Sequence, residues 1–239
     1  MKDEGLRQPA VILGGYFSRP SLYEGMRIRI EEISGQPVRI VPVSLPLWSL
    51  VSFPSGWKII RRRLEDTLSD MFLHRRPENL TLIGHSIGGI LLRLCLPSAG
   101  ERRMERKPAV KITRIITLGA PHHNNCRVLH GGLINRALRS RSGRYSSLDH
   151  IPIICVAGRK IKGDPEGSPA EKRAARIYEK LVGRSRSWGD GIVPVSSALL
   201  PDATPLILED VGHSPLSPGK WYGSPDTVDK WWSTMERIP

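Results

Sequence analysis

The sequence predicts one α/β domain built on a mostly parallel, six-stranded sheet with helices on both faces, and three observations carry that reading. Short runs rich in β-branched residues or Leu recur along the chain, each followed by a helical pattern or a long loop. This is the alternation that a parallel sheet with covering helices requires. The 239 residues, 39% of them hydrophobic, suit a single α/β domain, and a chain of this size buries roughly 70–75% of its extended surface. No linker-like stretch divides the chain, so residues 1–239 read as one unit.

Six runs are expected as strands: Ala10–Leu13, Val38–Val43, Leu80–Ile83, Ile112–Leu118, Ile151–Ala157 and Leu206–Glu209. All six are apolar enough to be buried on both faces. Between the first two, Leu22, Tyr23, Met26, Ile30 and Ile33 fall at helical spacing after Pro20-Ser21 and stop at Gly35. Ile59, Ile60, Leu64, Leu68, Met71 and Phe72 repeat the pattern before Pro77. Ser168-Pro169-Ala170-Glu171 supplies an N-cap, a first-turn Pro and a capping-box Glu, and Gly183 a stop. Ser224-Pro225 opens a last helix with Val228, Trp231, Trp232, Met235 and Ile238 on one face. The segment 122–150 is long, basic and only weakly helical around Leu133–Leu138. A loop of that length inside a compact domain is expected to be a lid-like insertion.

Composition narrows the function classes. Apolar content excludes intrinsic disorder, and three cysteines exclude a disulfide framework and suit a reducing compartment. The N-terminal stretch has neither the basic head nor the apolar block of an export signal. Pro42, Pro46 and Pro54 interrupt the longest uncharged stretch, Ile40 to Trp57, so no transmembrane helix is expected and the location reads as cytoplasmic. The formal charge of +13, from Lys+Arg 36 against Asp+Glu 23, invites a polyanion reading. No recognition fold or base-stacking platform accompanies the charge, so nucleic acid is not expected as a partner.

The chemistry rests on Asn79-Leu80-Thr81-Leu82-Ile83-Gly84-His85-Ser86-Ile87-Gly88-Gly89-Ile90, a strand, a G-x-S-x-G turn and a helix in direct succession. A turn this tight demands small residues around Ser86 and holds its hydroxyl at the strand's C-terminal end. There the free N–H groups and positive end of the helix favour a developing oxyanion. Ser86 is the candidate nucleophile. Such a Ser needs a base and an acid to orient it, and in this arrangement they follow in the order Ser, Asp/Glu, His. His213 alone among the histidines follows the last strand. Asp190, between Gly189 and Gly191 and before a short apolar run, is the candidate acid, with Asp149, Asp164, Asp202 and Asp210 as competitors on order or position. The N–H groups of Ile87 and of Tyr16, in the loop Gly14-Gly15-Tyr16-Phe17-Ser18, are the candidate oxyanion donors, with Phe17 next in line after Tyr16. Phe17, His85 and His122 flank these groups as candidate substrate-binding residues. A zinc site from His122, His123, Cys126 and His130 is disfavoured, because adjacent histidines do not converge on one ion without a special turn. Cys95 and Cys155 read as core residues.

With these residues assembled, the chain resembles the α/β-hydrolase superfamily, and within it the lipase-like branch related to bacterial triacylglycerol lipases and the GPI inositol-deacylase. The resemblance rests on Ile12-Leu13-Gly14-Gly15-Tyr16, Gly84-His85-Ser86-Ile87-Gly88-Gly89, Leu118-Gly119-Ala120-Pro121-His122, Gly189-Asp190-Gly191-Ile192-Val193-Pro194, Val211-Gly212-His213-Ser214-Pro215 and Trp221-Tyr222-Gly223, in the family's order. It implies a six-stranded core lacking the family's two N-terminal strands, and Ser86, Asp190 and His213 as nucleophile, acid and base. Gly14-Gly15 stands where many lipases of this branch have His-Gly. The implied activity is hydrolysis of a carboxylic ester; the alternatives on the same fold are acyl transfer or thioester cleavage by the same three residues, or catalytically inactive binding. No cofactor or metal is implied. The implied substrate is lipid-like, and the basic insertion implies peripheral contact with an anionic membrane.

Overall fold

The computed structural model describes residues 8–51, 53, 56–75, 77–95, 111–123 and 151–235. Its strands are β1 (Ala10–Leu13), β2 (Val38–Ile40), β3 (Asn79–His85), β4 (Lys111–Leu118), β5 (Ile153–Arg159), β6 (Ile161–Lys162), β7 (Trp188–Gly189) and β8 (Thr204–Glu209). Six of them form one sheet in the order β2-β1-β3-β4-β5-β8, with every neighbouring pair parallel. β6 and β7 pair as a small antiparallel ribbon.

Side-chain alternation along each strand feeds two cores. Val11 and Leu13 of β1 face one, with Leu80 and Leu82 of β3, while Ala10 and Ile12 face the other, with Ile83 and Ile116. Burial of each such aliphatic side chain contributes about 1.5–3 kcal/mol. The first core is covered by α3 (Trp57–Arg75) and α4 (Ile87–Cys95), the second by α1 (Glu24–Ser34) and a C-terminal helix, Pro225–Met235. The expectation of burial on both faces holds for the central strands and fails at the edges. Arg39 of β2 is exposed, and β8 alternates between exposed positions, with Ile207 43% exposed, and inner ones of which only Leu208 is fully buried. Edge strands lack a neighbour on one side, and their apolar composition does not reveal it.

Local chemistry sets the helix limits. A 3-10 turn at Pro20–Tyr23 leads into α1, which ends at Gly35 in the left-handed region, φ 64°. The second strand stops at Ile40, short of the expected Val43, because Pro42 has no N–H to give to a ladder. Pro46 then sits in the first turn of α2 (Leu45–Leu50), a helix that periodicity does not announce. Along α3, Ile60, Leu64 and Met71 are buried, whereas Ile59 lies on the outer face. α5 (Pro169–Val182) carries the full Ser168/Glu171 capping box, α6 (Val195–Ala198) is a single turn, and α7 (Pro225–Met235) buries Val228, Trp231 and Trp232. Residues 124–150 of the expected insertion, with Cys126, His130 and Asp149, lie outside the described residues, as does Ile238. Among the described residues no helix is long and apolar enough to cross a membrane.

The strand order creates a crevice. From β1 the chain moves to β2 on one side and returns to β3 on the other, so the segments leaving the C-terminal ends of β1 and β3 diverge. Open parallel sheets bind ligands at such a switch point.

Candidate active site

Ser86 stands at that crevice, between β3 and α4. Its φ is 53°, a conformation that residues other than Gly rarely adopt, and its N–H donates to the Leu118 carbonyl at 2.8 Å. The turn is held by close packing against the end of β1. A Cβ on Gly88 would lie 2.3 Å from the Leu13 carbonyl oxygen, so only Gly allows α4 to start here. A Cβ on Gly15 would come within 3.1 Å of the Ser86 Cβ, which puts the loop after β1 directly against the Ser.

Asp190 follows β7 and His213 follows β8, and His213 lies between Asp190 and Ser86. His213 Nε2 lies 3.0 Å from Ser86 Oγ, and its Nδ1 lies 2.8 Å from Asp190 Oδ2. Every acceptor site on the carboxylate facing the protein is used. Oδ1 accepts from the N–H groups of Ile192 at 2.9 Å and Val193 at 2.7 Å, and Oδ2 also accepts from the Tyr222 hydroxyl at 2.8 Å. Burial, the largest single influence on Asp190, pushes its carboxyl up. The charge and hydrogen bond of His213 and the two N–H donors outweigh it and hold the group below the usual carboxylate range. Tyr222 accepts from Gly158 N–H at 2.8 Å, and burial followed by the Asp190 charge raises its phenol well above the ordinary value. It therefore stays a neutral O–H donor.

The remaining sequence candidates separate into those at the crevice and those in the interior. Tyr16 and Phe17 form the turn after β1, with rings edge to face at 4.6 Å, and both are exposed. Phe17 has φ 54° at a position where Gly is usual. Ile87 opens α4, so its N–H belongs to the first turn, where no intrahelical acceptor exists. His85 and His122 are buried, and each spends both ring nitrogens on protein partners in place of a substrate. His122 meets Arg93 at 3.1 Å and Thr117 Oγ1 at 3.0 Å, and burial, then the neighbouring Arg93 charge, holds its pKa well below the ordinary value. His85 meets Tyr23 Oη and the His213 carbonyl, both at 2.9 Å. Cys95 and Cys155 are buried thiols. Among the described residues no group of three or more His, Cys, Asp or Glu side chains is gathered as a metal site.

Two residues of the site escape sequence reasoning. Tyr222 was legible only as part of Trp221-Tyr222-Gly223, with no signal for its contact with Asp190 32 positions away. Tyr23 reads as an apolar helix position, and its hydroxyl instead reaches Gly15 N–H at 2.7 Å.

No protein-family model matches the sequence, and no curated protein matches it at the sequence level. Solved structures do match. A Listeria innocua gene product is similar over 97% of this chain and 95% of its own, with a TM-score of 0.57 and 13% identity. A Lactobacillus plantarum protein described as a cell surface hydrolase is similar over 97% and 90%, with a TM-score of 0.53 and 12% identity. Carboxyl esterase 2 of the mycorrhizal fungus Tuber melanosporum is similar over 99% of this chain and 79% of its own, with a TM-score of 0.50 and 14% identity. At these identities the likeness speaks for architecture alone, and together with the sheet order it shows that the chain has the α/β-hydrolase fold.

Proposed function

We propose that the protein is a serine hydrolase of carboxylic esters. The observation that carries this reading is the hydrogen-bonded chain Ser86–His213–Asp190, with steps of 3.0 and 2.8 Å, at the C-terminal edge of the sheet. Ser86 Oγ attacks the acyl carbonyl carbon while His213 Nε2 takes its proton. The N–H groups of Ile87 and Tyr16 receive the oxyanion. The C–O bond to the alcohol then breaks, the alcohol leaves with the proton held by His213, and Asp190 stabilises the imidazolium while it lasts. Water attacks the acyl-enzyme, His213 accepts a proton from it, and Ser86 is released with that proton as the carboxylic acid departs.

The substrate side is apolar. The exposed Tyr16–Phe17 pair beside Ser86 favours an ester with a hydrocarbon group, in keeping with a lipid-like substrate, and the description of one structural neighbour as a carboxyl esterase agrees with ester chemistry. The test is hydrolysis of a chromogenic acyl ester series by the full chain and by Ser86→Ala. The substitution is expected to cut kcat by as much as about 10⁶-fold with an unchanged unfolding curve. Equal turnover by the two proteins would refute the assignment.

A further inference from the structure

We propose that His85 is a positioning residue for the proposed base: as an Nε2–H imidazole it carries a hydrogen-bond relay from Gly15 through Tyr23 to the His213 carbonyl, and so sets the two loops flanking Ser86 against each other. The proposal rests on the reading of His213 as base.

The direction of each bond follows from what each atom is able to do. The His213 carbonyl oxygen, 2.9 Å from His85 Nε2, only accepts, so Nε2 carries the proton. A neutral ring then leaves Nδ1 bare, and Tyr23 Oη, 2.9 Å away, donates to it. With its proton committed, Tyr23 accepts from Gly15 N–H at 2.7 Å. Ser18 Oγ donates to the Gly15 carbonyl at 2.5 Å and is a second acceptor for the Tyr23 proton at 3.1 Å, farther away than His85 Nδ1.

The surroundings favour the neutral ring. His85 is packed among Tyr23, His213, Trp221 and Tyr222, with ring centroids 4.8 to 5.8 Å away. Burial, and next the His213 charge, lowers its pKa to about 3, against the opposing pull of Asp190.

The relay accounts for how His213 is fixed. Its ring is held by Ser86 and Asp190, and its N–H donates to the Asp190 carbonyl at 3.0 Å. The partner of its own carbonyl is His85, which approaches from the end of β3, the strand that leads directly into Ser86. Gly15, at the other end of the relay, precedes the proposed oxyanion donor Tyr16, so base and oxyanion loop share one connection. A misplacement near 1 Å costs a catalytic site about 10²-fold.

Two measurements on the full chain test this. Imidazole ¹⁵N shifts should show His85 protonated at Nε2 and bare at Nδ1 from pH 8 to pH 5. A proton on Nδ1, or titration near the ordinary histidine value, would overturn the relay, and this readout needs no substrate. In steady-state ester hydrolysis, His85→Phe and Tyr23→Phe should lower kcat by about 100-fold with KM little changed. His85→Gln, whose amide keeps an N–H for the His213 carbonyl, should recover most of the loss. Wild-type kcat in a folded Tyr23→Phe protein would overturn the positioning role. A wild-type protein with the expected tautomer but no activity on any ester would overturn the hydrolase reading, and the catalytic role of the relay with it.

Discussion

On one side of Ser86 the site is assembled around a charge, and on the other around its absence. Asp190 draws in His213, Tyr222 and the N–H groups of Ile192 and Val193, four partners of a single buried carboxylate. Across the crevice, Gly15, Tyr23 and His85 are joined by neutral hydrogen bonds, and Gly88 packs its Cα against the Leu13 carbonyl. The charged half sets a protonation state. The neutral half sets a distance, and depends on steric fit that a single methyl group would spoil.

The largest effect expected from breaking the charged half is that of Asp190→Asn. The two backbone donors to Oδ1 hold the amide oxygen on their side, which turns the NH₂ toward His213 Nδ1. His213 must then present a bare Nδ1 to that NH₂ and a protonated Nε2 to Ser86, the wrong tautomer for a base. A fall in kcat of about 10⁴-fold is expected. Steady-state hydrolysis of the best ester checks it, and a loss below tenfold would move the orienting role to another acid.

The same contrast explains what was legible in the sequence. Ser86, Asp190 and His213 were readable because each carries a local signature: glycines around the Ser, Gly-Asp-Gly at a turn, a His beyond the last apolar run. The structure brings those three within hydrogen-bond reach. Tyr222 and Tyr23 carry no such mark, since an aromatic ring in an apolar face gives no hint of where its hydroxyl lands. The six parallel strands and the α5 cap were written in composition and spacing. The half-exposed edge strand β8 and the short helix α2 were not, because edge position depends on strand order and α2 is too short to show a period.

Gly88→Ala breaks the neutral half. The added methyl group would lie 2.3 Å from the Leu13 carbonyl oxygen and 2.5 Å from that of Gly14, both backbone atoms that move only with β1 itself. A loss of about 3 kcal/mol in unfolding free energy is expected. Gly25→Ala is the matched control, because Gly25 lies in α1 with nothing within 4 Å of the added carbon. There the change should stabilise, by up to about 1 kcal/mol. Denaturant midpoints of the two variants test the pair together, and similar midpoints would mean that the β1–α4 contact is not tight.

The smallest effect is on pH, and it sharpens the comparison by titrating the neutral half alone. His85, with a folded pKa of about 3, stays neutral where the unfolded chain's histidine is protonated. His122 is depressed in the same direction. The stability these rings contribute is therefore fully present above the ordinary histidine pKa near 6.5 and is lost as pH falls toward the folded values. The unfolded state binds the extra proton, and the slope from His85 is about 1.4 kcal/mol per pH unit, with His122 adding in the same direction. The groups facing His85 are Tyr23, His213 and Tyr222, with Asp190 behind His213. Asp190 has its carboxyl held low, so its own contribution is present above the unfolded carboxylate value and fades only in more acid solution. Guanidinium unfolding at pH 6 and pH 5 separates the two halves. His85→Gln should reduce the slope by about one proton in that window, whereas Asp190→Asn should leave it unchanged. An unaltered slope in His85→Gln would mean that the ring already titrates in the folded protein and that the relay is not held by a neutral imidazole.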